Sequence, residues 1–311
     1  MGKIFQYIKY IKHFQEKCLP VSIQLNITNK CCCKCLMCSK YKWGLGHIEQ
    51  SKLLHLIKEL SDNGVESVVF SGGDPLVYPE FEKIVENCFS LKIGVLTAGN
   101  VQFKHWDKII DKVNWIRFSV DASDIEVWKK IRGSGDTGYS FLMENLKTVS
   151  SLIPDSEKKN KIRLNFCKLK GLNEDQEEKT KLLAESYGFD FMAHDTRVVK
   201  QYMIKEEHHE QLNSKCIIPL IHCVIESDGS VYPCCDVMNE NAELEDVNTK
   251  YSLGNLNDYG WNFLPLWFSS KATRQKLFFL DNRVKECETC PMRYYPANIE
   301  YEQRKDDVIF L

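Results

Sequence analysis

The sequence predicts an α/β fold in which six parallel strands form a partial barrel. Strand-like and helix-like stretches alternate from about residue 21 to residue 194, and such a succession indicates a parallel sheet with helices between its strands. Several strands carry polar side chains on one face and apolar ones on the other. A parallel strand packed by apolar layers on both faces would be apolar throughout. A partial (β/α)6 TIM-like barrel, with helices outside and a polar ligand inside, accounts for both observations.

The strands and helices are predicted from the spacing of apolar residues and from the turn residues between them. Gly64 and Gly188 follow helix-like stretches and indicate where two helices end. In the first strand, Gln24 and Asn26 alternate with apolar neighbours, as expected for a strand between a polar lumen and a layer of helices. The predicted strands are Val21–Thr28, Ser67–Ser71, Ile93–Thr97, Trp115–Val120, Ile162–Cys167 and Phe189–His194.

Composition and charge exclude several classes of partner. The chain has 311 residues and a net charge of −2, so no overall field favours nucleic acid or acidic lipid. Lysines in the first twenty residues interrupt any signal-peptide core, and no apolar run is long enough to span a bilayer. We therefore expect a cytoplasmic protein that binds neither nucleic acid nor membranes. Its expected parts are an N-terminal helix (1–20), the barrel (21–200), and a smaller C-terminal domain with its tail (201–311).

The fourteen cysteines are concentrated in three segments. Five lie in residues 31–38, four in 216–235 and two in 287–290. Without a secretion signal, disulfides are not expected, and metal binding or redox chemistry explains a high cysteine count better. Clustering towards the two ends of the chain predicts two metal sites.

The first cysteine cluster has the spacing of an iron–sulfur loop. Cys31, Cys35 and Cys38 form a C-x3-C-x2-C run directly after the first strand. Three thiolates can bind three corners of a [4Fe–4S] cube and leave the fourth iron open to another ligand. A structural zinc site is the alternative, but zinc takes a fourth protein ligand at close range.

A second motif follows the second strand. The segment Ser71–Pro75 reads SGGDP. Gly72 and Gly73 allow a ligand to approach the backbone closely, and the Asp74 carboxylate suits an ammonium group. Alone, this segment would be taken for a turn. Its position one strand after the cysteine loop favours a binding site.

Together the two motifs resemble the radical SAM superfamily. Two departures are Met37, where the family usually has an aromatic residue, and Asp74, where it usually has Glu. The resemblance implies S-adenosyl-L-methionine (SAM) as cofactor, bound to a [4Fe–4S] cluster on Cys31, Cys35 and Cys38. It also implies residues for the other groups of SAM: Gly72, Gly73 and Asp74 for the methionine amine, Ser119 and Arg132 for the carboxylate, and Asp121 and Asn165 for the ribose.

In the C-terminal part, the spacing Cys216-x12-Gly229-x4-Cys234 is followed by Cys287-x2-Cys290. With this spacing it resembles a Twitch domain, the shortened form of the SPASM auxiliary-cluster domain. The resemblance implies one auxiliary [4Fe–4S] cluster with four protein ligands, and hence two clusters in the protein. A closed four-cysteine site would satisfy zinc equally well, so zinc remains the alternative here. The implied ligands are Cys216, Cys234, Cys287 and Cys290.

Seven cysteines remain outside these two sites, and Cys223 is the one for which the sequence predicts a role. A two-residue turn at Asp228-Gly229 would pair Ile225 with Tyr232 and Cys223 with Cys234, beside the auxiliary cluster. Cys223 could then donate hydrogen to a substrate radical, replace Cys216 as a ligand, or be inert. Most of the others are interpreted as small buried residues, among them Cys88 on an apolar helix face; these others are Cys18, Cys32, Cys33, Cys88, Cys167 and Cys235.

As a whole, the chain is similar to radical SAM epimerases that convert L-residues of ribosomally synthesised peptides to D-residues. The resemblance implies that an adenosyl radical takes the Cα hydrogen and that Cys223, as catalytic residue, returns one to the opposite face. It implies a precursor peptide and an external electron donor, such as flavodoxin or ferredoxin, as partners. The alternatives are a dehydrogenase or thioether-forming peptide maturase that uses the auxiliary cluster as electron acceptor, and a metal-binding regulatory protein without turnover.

Overall fold

The computed structural model describes residues 17–38, 46–195, 218–235, 237 and 251–281. Most of the predicted N-terminal helix and the link between the two predicted domains lie outside these ranges. In the part that is described, all strands join one nine-stranded sheet in the order β6-β5-β4-β3-β2-β1-β7-β8-β9. No helix within these ranges is long and apolar enough to cross a membrane.

The first six strands are parallel and follow one another across the sheet. Each is within one residue of its predicted bounds, so the alternation of polar and apolar residues located all six correctly. They are β1 (Ser22–Thr28), β2 (Ser67–Gly72), β3 (Lys92–Thr97), β4 (Trp115–Ser119), β5 (Ile162–Lys168) and β6 (Asp190–Asp195).

Helices connect these strands, as a parallel sheet requires. Gly64 and Gly188, with φ of +81° and +76°, lie just beyond two helix ends, where the sequence predicted them. The helices are α1 (Gln50–Asp62), α2 (Phe81–Glu86), α3 (Trp106–Ile109), α4 (Ile125–Arg132), α5 (Asp136–Leu152), α6 (Asp155–Lys161) and α7 (Glu177–Ser186), with short 3-10 turns at Pro75–Val77 and Glu174–Gln176.

The two faces of the sheet have different surroundings. The apolar residues of β1 are fully buried in the main hydrophobic core beneath the helices: Ile23, Leu25 and Ile27. Its polar residues bond to one another on the other face, where Gln24 Nε2 donates to Asn26 Oδ1 over 3.0 Å. The sheet therefore has a helix-facing side and a polar lumen side, as predicted.

The C-terminal part extends this same sheet. β7 (His222–Ile225) pairs with β1 in parallel, and Cys223 lies opposite Ile23. β8 (Ser230–Tyr232) and β9 (Gly254–Asn255) continue the sheet as antiparallel strands. The remaining helices are α8 (Ile218–Ile221), α9 (Phe263–Trp267) and α10 (Ser270–Asp281), with a 3-10 turn at Leu256–Tyr259.

The predicted register of the β7–β8 hairpin is wrong by one residue. The structure pairs Ile225 with Val231 instead of Tyr232. The N–H of Glu226 donates to the carbonyl of Ser230 over 2.8 Å, so three residues form the loop. The third is Gly229 with φ of +87°, the left-handed position that such three-residue loops require. Cys223 and Cys234 therefore do not oppose each other.

Candidate active site

A cavity of about 390 Å³ opens at the carboxyl ends of the parallel strands. In α/β folds of this kind, ligands bind at that end of the sheet. Residues from the loop after β1 line it together with residues from β2 to β6, so distant stretches of sequence meet there. The lining includes Cys31, Cys33, Cys35, Met37, Cys38, Ser71, Gly72, Gly73, Ser119, Asp121, Arg132, Asn165, Cys167, His194, Asp195 and Cys235.

The three predicted cluster ligands, Cys31, Cys35 and Cys38, all line this cavity. Their loop is fixed to the end of α4, because the N–H groups of Lys34 and Leu36 donate to carbonyls there over 2.8 and 2.9 Å. Within the described ranges, no three His, Cys, Asp or Glu side chains form a group that could hold a single metal ion. The three thiols instead border a space that can take a larger group.

A fourth thiol lies inside the cluster loop. Cys33 is buried and hydrogen-bonds Cys31 and Cys35, which together with burial raises the pKa of Cys33. The same contact with Cys33, aided by the nearby Arg132 guanidinium, lowers the pKa of Cys35 although burial opposes this. A lowered pKa favours the thiolate, which is the form that binds iron.

Gly72 and Gly73 allow the backbone after β2 to lie against the chain that leads into the cluster loop. A Cβ atom at Gly72 would come within 2.2 Å of the Thr28 carbonyl oxygen, and one at Gly73 within 2.1 Å of the Lys30 carbonyl oxygen. No side chain fits at either position. The glycines thus bring the backbone to the wall of the cavity.

Asp74 does not line the cavity, and the prediction that its carboxylate contacts the SAM amine is wrong for this structure. The side chain is fully buried. Its oxygens accept hydrogen bonds from Leu76 N (3.0 Å), Thr97 Oγ1 (2.8 Å) and Ala98 N (2.8 Å), and burial raises its pKa. Because Thr97 and Ala98 line the cavity, Asp74 supports the wall from behind.

Arg132 is the cation of the cavity and is held by three partners. Its Nη2 forms an ion pair of 2.5 Å with Asp121 Oδ2 and also donates to the Ser119 carbonyl, while Nη1 donates to Cys35 Sγ over 3.3 Å. Burial opposes the charge, but Asp121 and then Cys35 raise the pKa of Arg132. The guanidinium therefore stays charged and couples the cluster loop to the ends of the strands.

Asp121 lies just after β4 and has a left-handed backbone conformation with φ of +61°. Its side chain links β4 to β5. Its Oδ1 accepts the Cys167 N–H over 2.7 Å, and its carbonyl accepts Asn173 Nδ2 over 2.8 Å. Such a conformation persists where surrounding contacts enforce it, which is common at functional sites.

Apart from Asp121 Oδ2, which forms the ion pair with Arg132, three buried atoms of cavity-lining residues have no hydrogen-bond partner among the described residues: Arg132 Nε, Asn165 Oδ1 and Asp195 Oδ1. A buried polar group without a partner costs free energy, so a polar ligand is expected to satisfy them. Three cavity-facing thiols, a glycine backbone and unsatisfied polar atoms fit a SAM molecule beside an iron–sulfur cluster. Cys31, Cys35 and Cys38 would hold that cluster.

Cys223 lies on the wrong side of the sheet for the role that was predicted. It is fully buried in the main core on the helix-facing side, and burial raises the pKa of its thiol. Parallel pairing with Ile23 places the two side chains on the same face, away from the lumen. The predicted position beside a cluster ligand depended on the hairpin register and is wrong with it.

Of the predicted auxiliary ligands, Cys234 is described, and Cys216, Cys287 and Cys290 lie outside the described residues. Cys234 is half-buried and packs against the small cluster of Val237, Tyr251 and Phe279. Cys235, interpreted from the sequence as a small buried residue, instead lines the cavity.

Sequence reasoning also missed Cys167, His194 and Asp195 as cavity residues. Cys167 and His194 are neighbours across β5 and β6. Both continue the alternation that places Asn165 on the lumen side, so counting every second residue could have found them. Cys235 follows the end of β8 and carries no comparable periodic signal.

Comparison with known proteins agrees with this geometry. Residues 25–184 match the Radical SAM superfamily, and residues 216–291 match SPASM, an iron-sulfur cluster-binding domain. The chain is 30% identical over 122 residues to a probable GTP 3',8-cyclase of Methanococcus maripaludis, covering 37% of this chain and 41% of that protein. A probable GTP 3',8-cyclase of Methanosarcina mazei is 26% identical over 165 residues, covering 50% and 47%. The chain thus spans about half or less of the length of these curated relatives.

Solved structures show the same fold at low sequence identity. Streptococcus suis SuiB covers 100% of this chain and 82% of its own, with 14% identity and a TM-score of 0.65. Native anSMEcpe with bound AdoMet covers 88% and 87%, with 16% identity and a TM-score of 0.58. The superfamily match implies SAM and a [4Fe–4S] cluster, and the SPASM match implies auxiliary iron–sulfur binding. The chain belongs to the radical SAM superfamily of enzymes and carries a C-terminal SPASM domain.

Proposed function

We propose that this enzyme is a peptide maturase that inverts the Cα configuration of residues in a ribosomally synthesised peptide. Two structural neighbours support a peptide substrate, because SuiB has been solved with its precursor peptide SuiA and anSMEcpe with the Cp18Cys peptide. The single observation that carries the choice of reaction is a thiol, Cys235, in the wall of the SAM cavity.

When bound, SAM and its cluster supply a 5′-deoxyadenosyl radical that removes the Cα hydrogen of the target residue. The chain's own residues position and enclose this chemistry. The glycine backbone at Gly72-Gly73 and the Arg132–Asp121 pair form the SAM-facing wall, and the cluster loop closes one end. Such enclosure keeps solvent away from a reactive carbon radical.

Cys235 is the hydrogen donor in this proposal, in place of Cys223. A thiol gives its hydrogen atom readily to a carbon radical, because the S–H bond is weaker than most C–H bonds. Transfer forms the new Cα–H bond, breaks the S–H bond and leaves a thiyl radical on Cys235. The burial of Cys223 in the helix-facing core, opposite Ile23, argues against Cys223 as the donor.

Cys167 also lines the cavity and is therefore another candidate hydrogen donor. Cys167 belongs to β5 and gives its N–H to Asp121, within the SAM-facing wall. Cys235 follows β8, on the far side of β1 in the strand order. A donor that acts on the face opposite the adenosyl radical must approach from a different wall, which favours Cys235.

Restoring Cys235 takes one electron and one proton for each turnover. The electron would come from an external one-electron donor, such as flavodoxin or ferredoxin. Cys235 directly follows Cys234, a predicted ligand of the auxiliary cluster, so that cluster would lie close to the thiyl. Cys234 would help to hold that cluster, which when bound would supply one-electron chemistry beside Cys235.

The test uses the anaerobic, cluster-loaded enzyme with SAM, a reductant and a synthetic copy of the short precursor peptide encoded beside the gene. In deuterated water we expect a D-residue and a gain of about one mass unit at each modified position, because the thiol exchanges with solvent. A loss of about two mass units would indicate dehydrogenation or cross-linking and would replace the proposal with that chemistry.

Three alanine variants assign the donor. Cys235→Ala should still release 5′-deoxyadenosine, yet form at least about 100-fold less D-residue. Cys223→Ala and Cys167→Ala should keep D-residue formation within about threefold of wild type. If Cys235→Ala forms the D-residue at the wild-type rate, Cys235 is not the donor and the proposed reaction loses its support.

A further inference from the structure

We propose that Asp195 accepts a hydrogen bond from the backbone N–H of the peptide residue whose Cα reacts. This inference rests on the proposed function and adds a substrate-positioning group to it. Asp195 is the last residue of β6, at one edge of the sheet, and it lines the cavity with the cluster loop and Cys235.

The observation behind the inference is a buried oxygen. Asp195 Oδ1 is inaccessible to solvent and has no hydrogen-bond partner among the described residues. Leaving a carboxylate oxygen in that state costs more than leaving a neutral one, because charged groups lose more hydration energy on burial. A donor from the substrate would remove this cost when it binds.

None of the described donors at this wall bonds to Asp195 Oδ1. The Nη atoms of Arg132 bond to Asp121, Ser119 and Cys35. His194, the neighbour of Asp195, has its Nδ1 3.3 Å from the Asp195 carbonyl oxygen and not from the carboxylate.

SAM is also a poor source of the donor. Its predicted contacts lie on β2, β4 and β5 or in the segments that follow them, and none lies on β6, the strand that Asp195 ends. Asp195 and Cys235 line the same cavity, so a substrate held there can lie between them.

A backbone N–H suits this position better than a charged side chain. Each residue of a peptide except proline has an N–H, and it is bonded directly to the Cα that reacts. Fixing the N–H therefore fixes the direction of the Cα–H bond. One face of the Cα can then point to the adenosyl radical and the other to Cys235, as inversion requires.

The experiment is a binding cycle on the cluster-loaded enzyme with SAM. The probe is a fluorescein-labelled synthetic copy of the precursor peptide encoded beside the gene, with and without an N-methyl group on the residue that becomes D. Its Kd is measured by fluorescence anisotropy. A hydrogen bond to a charged group corresponds to a change in Kd of about 10- to 100-fold.

Asp195→Ala should weaken binding of the unmodified peptide by about 10- to 100-fold, and N-methylation should weaken binding to wild type equally. The two changes together should cost no more than either alone, since both remove the same bond. Asp195→Asn should stay within about fivefold of wild type, because its amide oxygen still accepts. Asp107→Ala, on an exposed helix position, and a peptide methylated one residue later are the matched controls.

Additive losses for Asp195→Ala and N-methylation would overturn the inference. Asp195→Asn binding as weakly as Asp195→Ala would overturn it too, because a cation would then be the partner. A weaker Kd for SAM in Asp195→Ala, with peptide binding unchanged, would assign Asp195 to SAM instead. If wild type binds the peptide but forms no D-residue, the proposed function fails. The binding measurements would still show whether Asp195 accepts a hydrogen bond from the peptide N–H. If wild type does not bind the peptide, both fail.

Discussion

Cys223 and Cys235 lie twelve residues apart in sequence and have opposite surroundings. Cys223 is on the helix-facing side of β7, closely packed in the main core and fully buried. Cys235 follows β8 and borders the cavity lined by three cluster cysteines and by Arg132. Thiol chemistry depends on access and on nearby charge more than on the residue type. The cysteine side chain therefore packs the core at position 223 and is a candidate reactant at position 235.

Chemical labelling of the cluster-loaded protein tests most directly whether Cys223 and Cys235 differ in access. We expect Cys235 to react with a maleimide about 1000-fold or more faster than Cys223, because a core thiol reacts only after an unfolding event. Peptide mapping by mass spectrometry measures both rates in one sample. Cys88, another buried thiol, is the control and should be as slow as Cys223. Equal rates for Cys223 and Cys235 would contradict the assignment of faces.

Breaking the buried ion pair between Arg132 and Asp121 in the cavity wall should lower the free energy of unfolding substantially. Arg132→Met leaves Asp121 buried without its ion-pair partner, and we expect a loss of about 3–5 kcal/mol in the free energy of unfolding. Adding Asp121→Asn to this variant should recover part of the loss. Lys129→Met on the same helix breaks more exposed ion pairs, which solvent screens, and should cost far less than Arg132→Met. Denaturant unfolding of the three variants measures these values, and equal losses for Arg132→Met and Lys129→Met would refute the role of the buried pair.

His222 directly precedes Cys223 and tests the lumen face of the same strand. Burial lowers the pKa of His222 to about 4, whereas an unfolded histidine titrates near 6.5. Between these values the unfolded chain binds more protons, so stability rises with pH there and is lost on acidification from pH 6.5 to 4. We expect His222 to account for roughly 3 kcal/mol of that loss.

The difference in unfolding free energy between wild type and His222→Gln, measured at several pH values, should therefore shrink as the pH falls towards 4. His55→Gln, at an exposed position, is the control and should leave the pH dependence unchanged. A constant difference between wild type and His222→Gln would show that this histidine is not buried in its neutral form.

The smallest expected effect concerns the helix-facing thiol itself. Cys223→Ser places a hydroxyl in an apolar site and should cost about 1–2 kcal/mol of stability with D-residue formation retained. Cys235→Ser should cost less than about 0.5 kcal/mol and abolish D-residue formation. Thermal unfolding and chiral amino-acid analysis of the peptide measure the two effects. The reverse pattern would return Cys223 to the active site.

Local patterns in the sequence determined the fold class, the six strands and the cluster loop. Alternation along β1 located the polar and apolar faces, and C-x3-C-x2-C located three thiols that the structure brings to one cavity. These features depend on neighbours within a strand or a loop, so a local pattern is enough to predict them. The glycines of SGGDP are also predictable from a local pattern, because they allow the backbone to approach a neighbouring segment closely.

Tertiary structure alone decided the contacts of Asp74 and the positions of Cys223 and Cys235. Asp74 turns to Thr97 and Ala98, more than twenty residues away, and the pattern SGGDP does not contain that information. Gly229 in a left-handed conformation lengthened the hairpin loop by one residue. Because side chains alternate between the faces of a strand, a shift of one residue changed every partner in that hairpin. Because the sheet curves, Cys235 lines the same cavity as the cluster cysteines, which lie some two hundred residues earlier in the chain.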